Sequence, residues 1–234
     1  MMSYTHSYKE LVRTILNLGL VQEGRNGTQR IIPHYSFTIQ HMETDHILRL
    51  RKMYYKGVMG EFLALISNNH LHNVSQFEEH GCNYWSKWAG KDGTLVLDYY
   101  NELHPQLEDV IEQIKVDPSS RRHVISLWNH TNVTSGTLSL PCCWHNLTFS
   151  VINRKLHLTW TQRSVDTMVG LPSDVYLAYL FMHLVAGECD LEIGSCMFAL
   201  SNVHIYEEHI LGAMELLKRT TEDYDKPLKF ELKE

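Results

Sequence analysis

The stretch Leu140-Pro-Cys-Cys-Trp-His-Asn-Leu-Thr-Phe149, followed by Gln162-Arg-Ser-Val-Asp166, decides how this chain is read. A cysteine is the strongest ordinary side-chain nucleophile once ionised, and it needs a nearby cation or helix N-terminus to become so. Arg163 offers such a cation, and its planar guanidinium also suits a phosphate. Cys142 and Cys143 are adjacent, so on a strand or turn they point in different directions and only one faces a given pocket. Free cysteines taken alone are ordinarily small, buried and inert.

Outward from this stretch, Leu147–Ile152 has strand composition and Leu156–Gln162 alternates as a half-buried strand does. Asp174–Gly187 is strongly apolar and reads as a buried helix. Further strands are expected at Ile31–Ile39, Val124–Trp128, Cys196–Val203 and near Ile205. Further helices are expected at Ser7–Leu20, through most of Asp45–Leu65, at His104–Lys115 and at Glu207–Arg219. Gly24-Arg-Asn-Gly-Thr28 reads as a loop with glycines bracketing an arginine, and Ser67–Lys91 as an irregular segment rich in Trp and His. No repeat or linker interrupts the pattern, so one domain over 1–234 of mixed α/β class is expected.

Composition narrows the function classes. The chain has 234 residues, 44% of them hydrophobic, enough for a sizeable core. Its net charge of −6 argues against a broad nucleic-acid-binding face. No run of about eighteen apolar residues occurs and the first residues are polar, so neither membrane span nor signal peptide is expected. The five cysteines are irregularly spaced, which fits a reducing cytoplasm better than a disulfide framework. The fifteen histidines do not adopt a recognised ligand spacing, so no metal is expected.

Several segments, in order, resemble the thymidylate synthase family. Pro118-Ser-Ser-Arg-Arg122 is similar to its Pro-x-Ser-Arg-Arg, Gln162-Arg-Ser-Val-Asp166 to its Gln-Arg-Ser-x-Asp, and Gly170-Leu-Pro172 to its Gly-x-Pro turn. Val203-His-Ile-Tyr206 is similar to its His-x-Tyr block, Gly60-Glu-Phe-Leu63 to its glutamate segment, and Tyr84-Trp85-Ser-Lys-Trp88 to its Trp-x-x-Trp. One such match is weak, whereas several in order are specific. The resemblance implies an α/β (α+β) fold with a large mixed β-sheet packed with helices, dimerising through the sheet face. It implies 5,10-methylenetetrahydrofolate as cofactor and a pyrimidine nucleotide as substrate.

Family spacing sets the nucleophile twenty residues before the arginine, which selects Cys143. By the same resemblance Arg163, Ser164 and Arg25 bind the nucleotide phosphate. Arg121 and Arg122 reach the phosphate of a neighbouring subunit, which implies a homodimer. His204 and Tyr206 hold the sugar hydroxyl, Glu61 organises proton transfer through water, and Tyr99 lies near the C5 proton. Trp85, Asp166 and Gly170 belong to the folate site. Cys143 would add to C6 of the base, C5 would take up the one-carbon unit, and hydride or water would complete the product as a methyl or a hydroxymethyl group.

The departures from the family bear on substrate. Thymidylate synthases carry Pro-Phe-Asn where this chain has Pro172-Ser-Asp174. A neutral Asn pairs with uracil N3–H and O4, whereas an ionised Asp has nothing to donate to O4 and suits the cytosine amino group. A proton shared with cytosine N3 would satisfy both contacts. This aspartate resembles that of phage deoxycytidylate hydroxymethylases. Trp144 stands where histidine usually follows the nucleophile, Tyr99-Tyr-Asn-Glu102 is a reduced form of the family's Tyr-Gly-x-Gln-Trp-Arg, and Pro227–Glu234 is charged where an apolar tail is usual. A site that lets water attack needs less tight a cover than one that transfers hydride. The expected activity is therefore a dCMP 5-hydroxymethyltransferase in a cytoplasm, a host's if the source is a virus. The alternatives are a dCMP C5-methyltransferase, a thymidylate synthase using dUMP, and a non-catalytic nucleotide-binding homologue.

Overall fold

In a computed structural model of the chain, the structure describes residues 3–24, 26–67 and 70–220, without the side chains of Asp98 and Tyr99. The chain opens with α1 (Tyr4–Leu18), β1 (Leu20–Gly24) and β2 (Gly27–Ile39), then α2 (Met42–Asp45), α3 (Tyr55–Ser67) and α4 (Ser75–Glu78). A 3-10 turn at Tyr84–Trp88 leads to α5 (Asp98–Asn101), α6 (Leu103–Val116), β3 (Val124–Ser126) and α7 (His130–Ser135). The second half runs β4 (Trp144–Ile152), β5 (Lys155–Gln162), β6 (Val165–Asp166), α8 (Gly170–Glu188), β7 (Glu192–Tyr206), a 3-10 turn at Glu207–His209 and α9 (Ile210–Lys218).

The strands form one mixed sheet in the order β1-β2-β7-β5-β4-β3, with β6 pairing β7 beyond the end of β5. β5 and β6 lie parallel to β7 and the other pairings are antiparallel. β4 and β5 form a hairpin closed at Ile152↔Lys155, with Asn153 and Arg154 at φ 51° and 60°. Two successive left-handed residues match the twist that a two-residue hairpin needs. At the other hairpin Gly27 has φ 113°, which an L side chain rarely tolerates.

Alternation decided the strands correctly. β5 buries Leu156, Leu158, Trp160 and Gln162, every second residue. α8 buries Leu171, Val175, Tyr176, Leu177, Phe181 and Val185, which point to several sides of the helix, so it lies between the sheet and α3 as a central core element.

Several expected boundaries move. The first helix begins at Tyr4 because the Ser3 hydroxyl accepts from the His6 N–H at 3.3 Å, and it stops at Leu18 before an extended Gly19. Leu20 belongs to the exposed edge strand β1. The Asp45–Leu65 helix is broken: between α2 and α3 the Leu48 N–H is taken by the Tyr55 hydroxyl (3.1 Å) and the Arg49 N–H by Thr5 (3.4 Å). Leu48 and Leu50 are both buried at a two-residue spacing that a helix would split between faces. The strand expected at Cys196–Val203 and that near Ile205 are one, β7, while α7, β1 and the two-residue β6 were not anticipated.

Candidate functional site

The site forms where the sheet ladder opens. β7 pairs with β5 up to Leu200↔Gln162 and resumes with β6 at Val203↔Val165. In the gap Asn202 turns into the left-handed region (φ 49°), and its amide donates to the Arg163 carbonyl at 2.9 Å. Arg163 and Ser164 thus leave the ladder beside the cysteine loop, where the Arg163 N–H donates to the Cys143 carbonyl at 2.9 Å.

Two cavities meet there and share Leu140, Pro141 and Ser164. One, of about 400 Å³, is lined by Arg163, Ser164, Asn202, His204 and Tyr206 together with Gln22 and Gln29 of the first hairpin. The other, of about 420 Å³, contains Cys143, Glu61, Trp85, Gln162, Asp166 and Asp174. Residues from several segments far apart in sequence therefore converge.

Cys143 ends the loop before β4 and lines the second cavity, whereas Cys142 is 3% exposed. Burial pushes the Cys142 thiol up to about 11, against the opposing effect of Arg163. The guanidinium of Arg163 is fixed by the same loop: Nε donates to the Cys142 carbonyl at 2.8 Å and one Nη to Pro141 at 3.0 Å. Cation and cysteine loop are thereby one rigid unit. Trp144, the residue after Cys143, packs against Tyr100, Trp160 and Phe181 at 5.6, 4.8 and 5.8 Å between ring centres.

Glu61, on α3, is buried with donors on both oxygens: the Trp85 indole N–H reaches Oε1 at 2.9 Å and the Tyr84 hydroxyl donates to Oε2. Burial raises its pKa and the two hydrogen bonds oppose that rise. Trp85 itself is buried among Phe77, Trp88 and Tyr100.

Asp174 lies in the first turns of α8, and its Oδ2 accepts from Gln162 Nε2 at 2.7 Å. Burial, reinforced by the charges of Glu61 and Asp166, pushes its carboxyl up to about 8, with Gln162 pulling the other way. At neutral pH the group therefore carries a proton, which revises the ionised aspartate assumed from sequence. The amide of Gln162 is oriented in turn by Trp160, whose indole N–H, a donor only, points at Oε1 at 3.2 Å.

His204 is buried, and its Nδ1 faces the Asn202 carbonyl at 2.8 Å. A carbonyl only accepts, so Nδ1 is the donor of this contact and Nε2 is the ring nitrogen left toward the cavity. Tyr206 stacks edge-on against it at 4.9 Å, and both line the first cavity as their two-residue spacing requires. Asp166 lines the second cavity while its Oδ1 accepts from the backbone N–H groups of Met168 (3.0 Å) and Val169 (3.1 Å), a turn-capping task that sequence did not suggest. At Gly170 an added Cβ would sit 3.7 Å from Asp174 Oδ2, an ordinary contact.

Arg121 and Arg122 are exposed and line neither cavity of their own chain. Arg25, the Tyr99 side chain and the tail 227–234 lie outside the described residues. Sequence reading assigned no role to Tyr84, Gln162, Trp160 or Asn202. The period-two spacing of Trp160 and Gln162 was the available signal for that pair. No described helix is long and apolar enough to cross a membrane.

The chain is thus an α/β protein with a mixed sheet that opens beside a cysteine, a cation-bearing cavity on one side and a carboxyl-rich aromatic cavity on the other. A family model described as thymidylate synthase matches residues 6–233. Thymidylate synthases of Francisella tularensis subsp. holarctica, strains FTNF002-00 / FTA, OSU18 and LVS, are each 29% identical over 231 residues, covering 91% of this chain and 84% of theirs. The chain belongs to the thymidylate synthase family, whose members transfer a one-carbon unit to C5 of a pyrimidine nucleotide.

Proposed function

We propose that the protein is a folate-dependent deoxycytidylate 5-hydroxymethyltransferase. The observation that carries this reading is Asp174 in the cavity that Cys143 lines, with Oδ2 held as an acceptor by Gln162. A proton shared between Oδ2 and cytosine N3 would leave Oδ1 to accept from the N4 amino group. Arg163 and Ser164 would bind the phosphate, joined by Arg25, and His204 with Tyr206 the sugar hydroxyl. Arg121 and Arg122, exposed and outside the lining of both cavities, suit the phosphate of a neighbouring subunit in a homodimer.

The second cavity fits the folate. Tyr84, Trp85 and Trp88 offer flat apolar surface, and Arg51, Lys52 and Lys87 line the same cavity with charges suited to carboxylates. When bound, 5,10-methylenetetrahydrofolate supplies the one-carbon unit. The chain's own part begins with the Cys143 thiolate, which adds to C6 and makes C5 nucleophilic. Asp174 holds the base through N3 and N4. Asp166 and Gly170 belong to the wall that meets the folate, and the family resemblance assigns Tyr99 to the C5 proton that must leave. Glu61 then accepts a proton from water as the water oxygen bonds to the exocyclic methylene carbon. The electron pair of that double bond passes into the ring, and the C6–S pair returns to Cys143. The polar Glu61–Tyr84 pair within the cavity supports water as the final reactant.

One observation favours a second reading, thymidylate synthesis from dUMP. A protonated Asp174 with its polarity reversed toward the base would accept from uracil N3–H and donate to O4, and the curated relatives are named thymidylate synthases. The test is incubation with methylenetetrahydrofolate and either dCMP or dUMP, with nucleotide products identified by mass and dihydrofolate by absorbance. The hydroxymethylase reading expects a hydroxymethyl product from dCMP and no dihydrofolate. A methyl product accompanied by dihydrofolate would overturn it.

A further inference from the structure

Tyr84 stands one residue before the Trp85-Ser-Lys-Trp88 motif, and the 3-10 turn at Tyr84–Trp88 brings it and Trp85 to the same carboxylate. The two residues donate to different oxygens of Glu61 across 23 and 24 residues of sequence. A carboxylate held by one donor can still swing about that bond, whereas one held at both oxygens cannot turn without breaking a contact. Each oxygen keeps a second lone pair for a further ligand.

The clamp also has a sign. Both partners donate, so both stabilise the ionised carboxyl against burial. Burial and the charge of Glu61 push the Tyr84 phenol far above its ordinary range, so the proton stays on the phenol. Among neighbouring titratable groups, Cys82 on the segment before the turn is pushed up to about 12 and stays neutral. Asp174 approaches from α8, and Arg51, Lys52 and Lys87 line the same cavity.

We propose that Tyr84 is a positioning residue which, with Trp85, holds Glu61 ionised and aimed into the cavity that Cys143 lines. The inference rests on Glu61 being the carboxylate that handles the proton of the attacking water. Without the clamp burial acts with less opposition, so the carboxyl keeps its own proton to higher pH and is a poorer acceptor for the proton of water.

The test is Tyr84→Phe, which keeps the ring and removes the donor. Infrared difference titration of nucleotide-free protein, with the Glu61 band assigned by its loss in Glu61→Gln, reads the carboxyl directly. Loss of one hydrogen bond to a charged group should move its midpoint up by about 1–2 pH units. The acid limb of kcat should move with it while nucleotide Kd stays within about twofold, and in a Glu61→Gln background Tyr84→Phe should have little further effect. An unmoved midpoint, or fully additive losses, would overturn the proposal. A preference for dUMP or a methyl product would instead sink the hydroxymethylase reading, leaving the infrared result to decide the role of Tyr84 by itself.

Discussion

Replacing Asp174 by Asn tests the base-reading argument at its centre. In the native site Gln162 Nε2 donates to Oδ2 at 2.7 Å, and the carboxyl carries a proton up to about pH 8. In Asp174→Asn the Gln162 donor selects the amide oxygen, so the NH2 group takes the place of Oδ1, which faces the exocyclic position of the base. An NH2 group opposite cytosine N4 leaves two donors facing each other, whereas opposite uracil O4 it pairs. Each buried polar group left unpaired costs about 1–3 kcal/mol. With two contacts exchanged between bases, the dCMP:dUMP affinity ratio should fall by roughly 100-fold or more, about 1.4 kcal/mol per tenfold. A pH dependence accompanies it. Below about pH 8 native Asp174 can donate to N3, and above it that donor is lost, so native dCMP affinity should decline through that pH while the variant's stays flat. The same raised pKa means that folding keeps the proton bound. The stability associated with Asp174 is full below its unfolded pKa near 4 and is lost as pH rises through about 8, a decline that Asp174→Asn should remove. Equilibrium titration calorimetry of both nucleotides between pH 6 and 9, with thermal melts alongside, measures all three effects. An unchanged nucleotide preference in the variant would refute the reasoning.

Other expectations follow from the same geometry. Cys143→Ser should abolish turnover while Cys142→Ser, at a buried packing position, should retain most of it; equal losses in steady-state assays would mean that the nucleophile is misassigned. Trp160→Phe frees the Gln162 amide to reverse, so dCMP:dUMP discrimination measured by competition should weaken about tenfold, with phosphate-dependent affinity preserved. Mixing inactive Cys143→Ser with inactive Arg121→Ala subunits should restore activity toward about one quarter of native sites if each site is shared across a two-fold axis, and silence of the exchanged mixture would argue for self-contained sites.

Much of this was legible before any fold was built. Leu147–Ile152 has strand composition and Leu156–Gln162 the alternation of a half-buried strand, and both lie within β4 and β5, while α8 has too few polar residues for a solvent-facing helix. The segment before α3 misled because Leu48 and Leu50 lie in an apolar stretch that looks helical. Their backbone conformation is settled by Tyr55 and Thr5, partners that no local pattern displays. The edge strand β1 escaped for the opposite reason: it is wholly exposed and shows no periodic burial.

The sequence alone determined which chemistry was available: a cysteine pair, an arginine twenty residues past the second cysteine, and an aspartate eleven residues beyond that arginine. Those are matters of residue type and spacing, which a chain carries whether or not it is folded. Only the tertiary structure decided that Cys143 lines the cavity while Cys142 is buried, that Asp174 holds a proton at neutral pH, and that Tyr84 and Trp85 grip Glu61. Burial and hydrogen-bond partners set each of these, and both depend on elements that meet only when the sheet closes around α8.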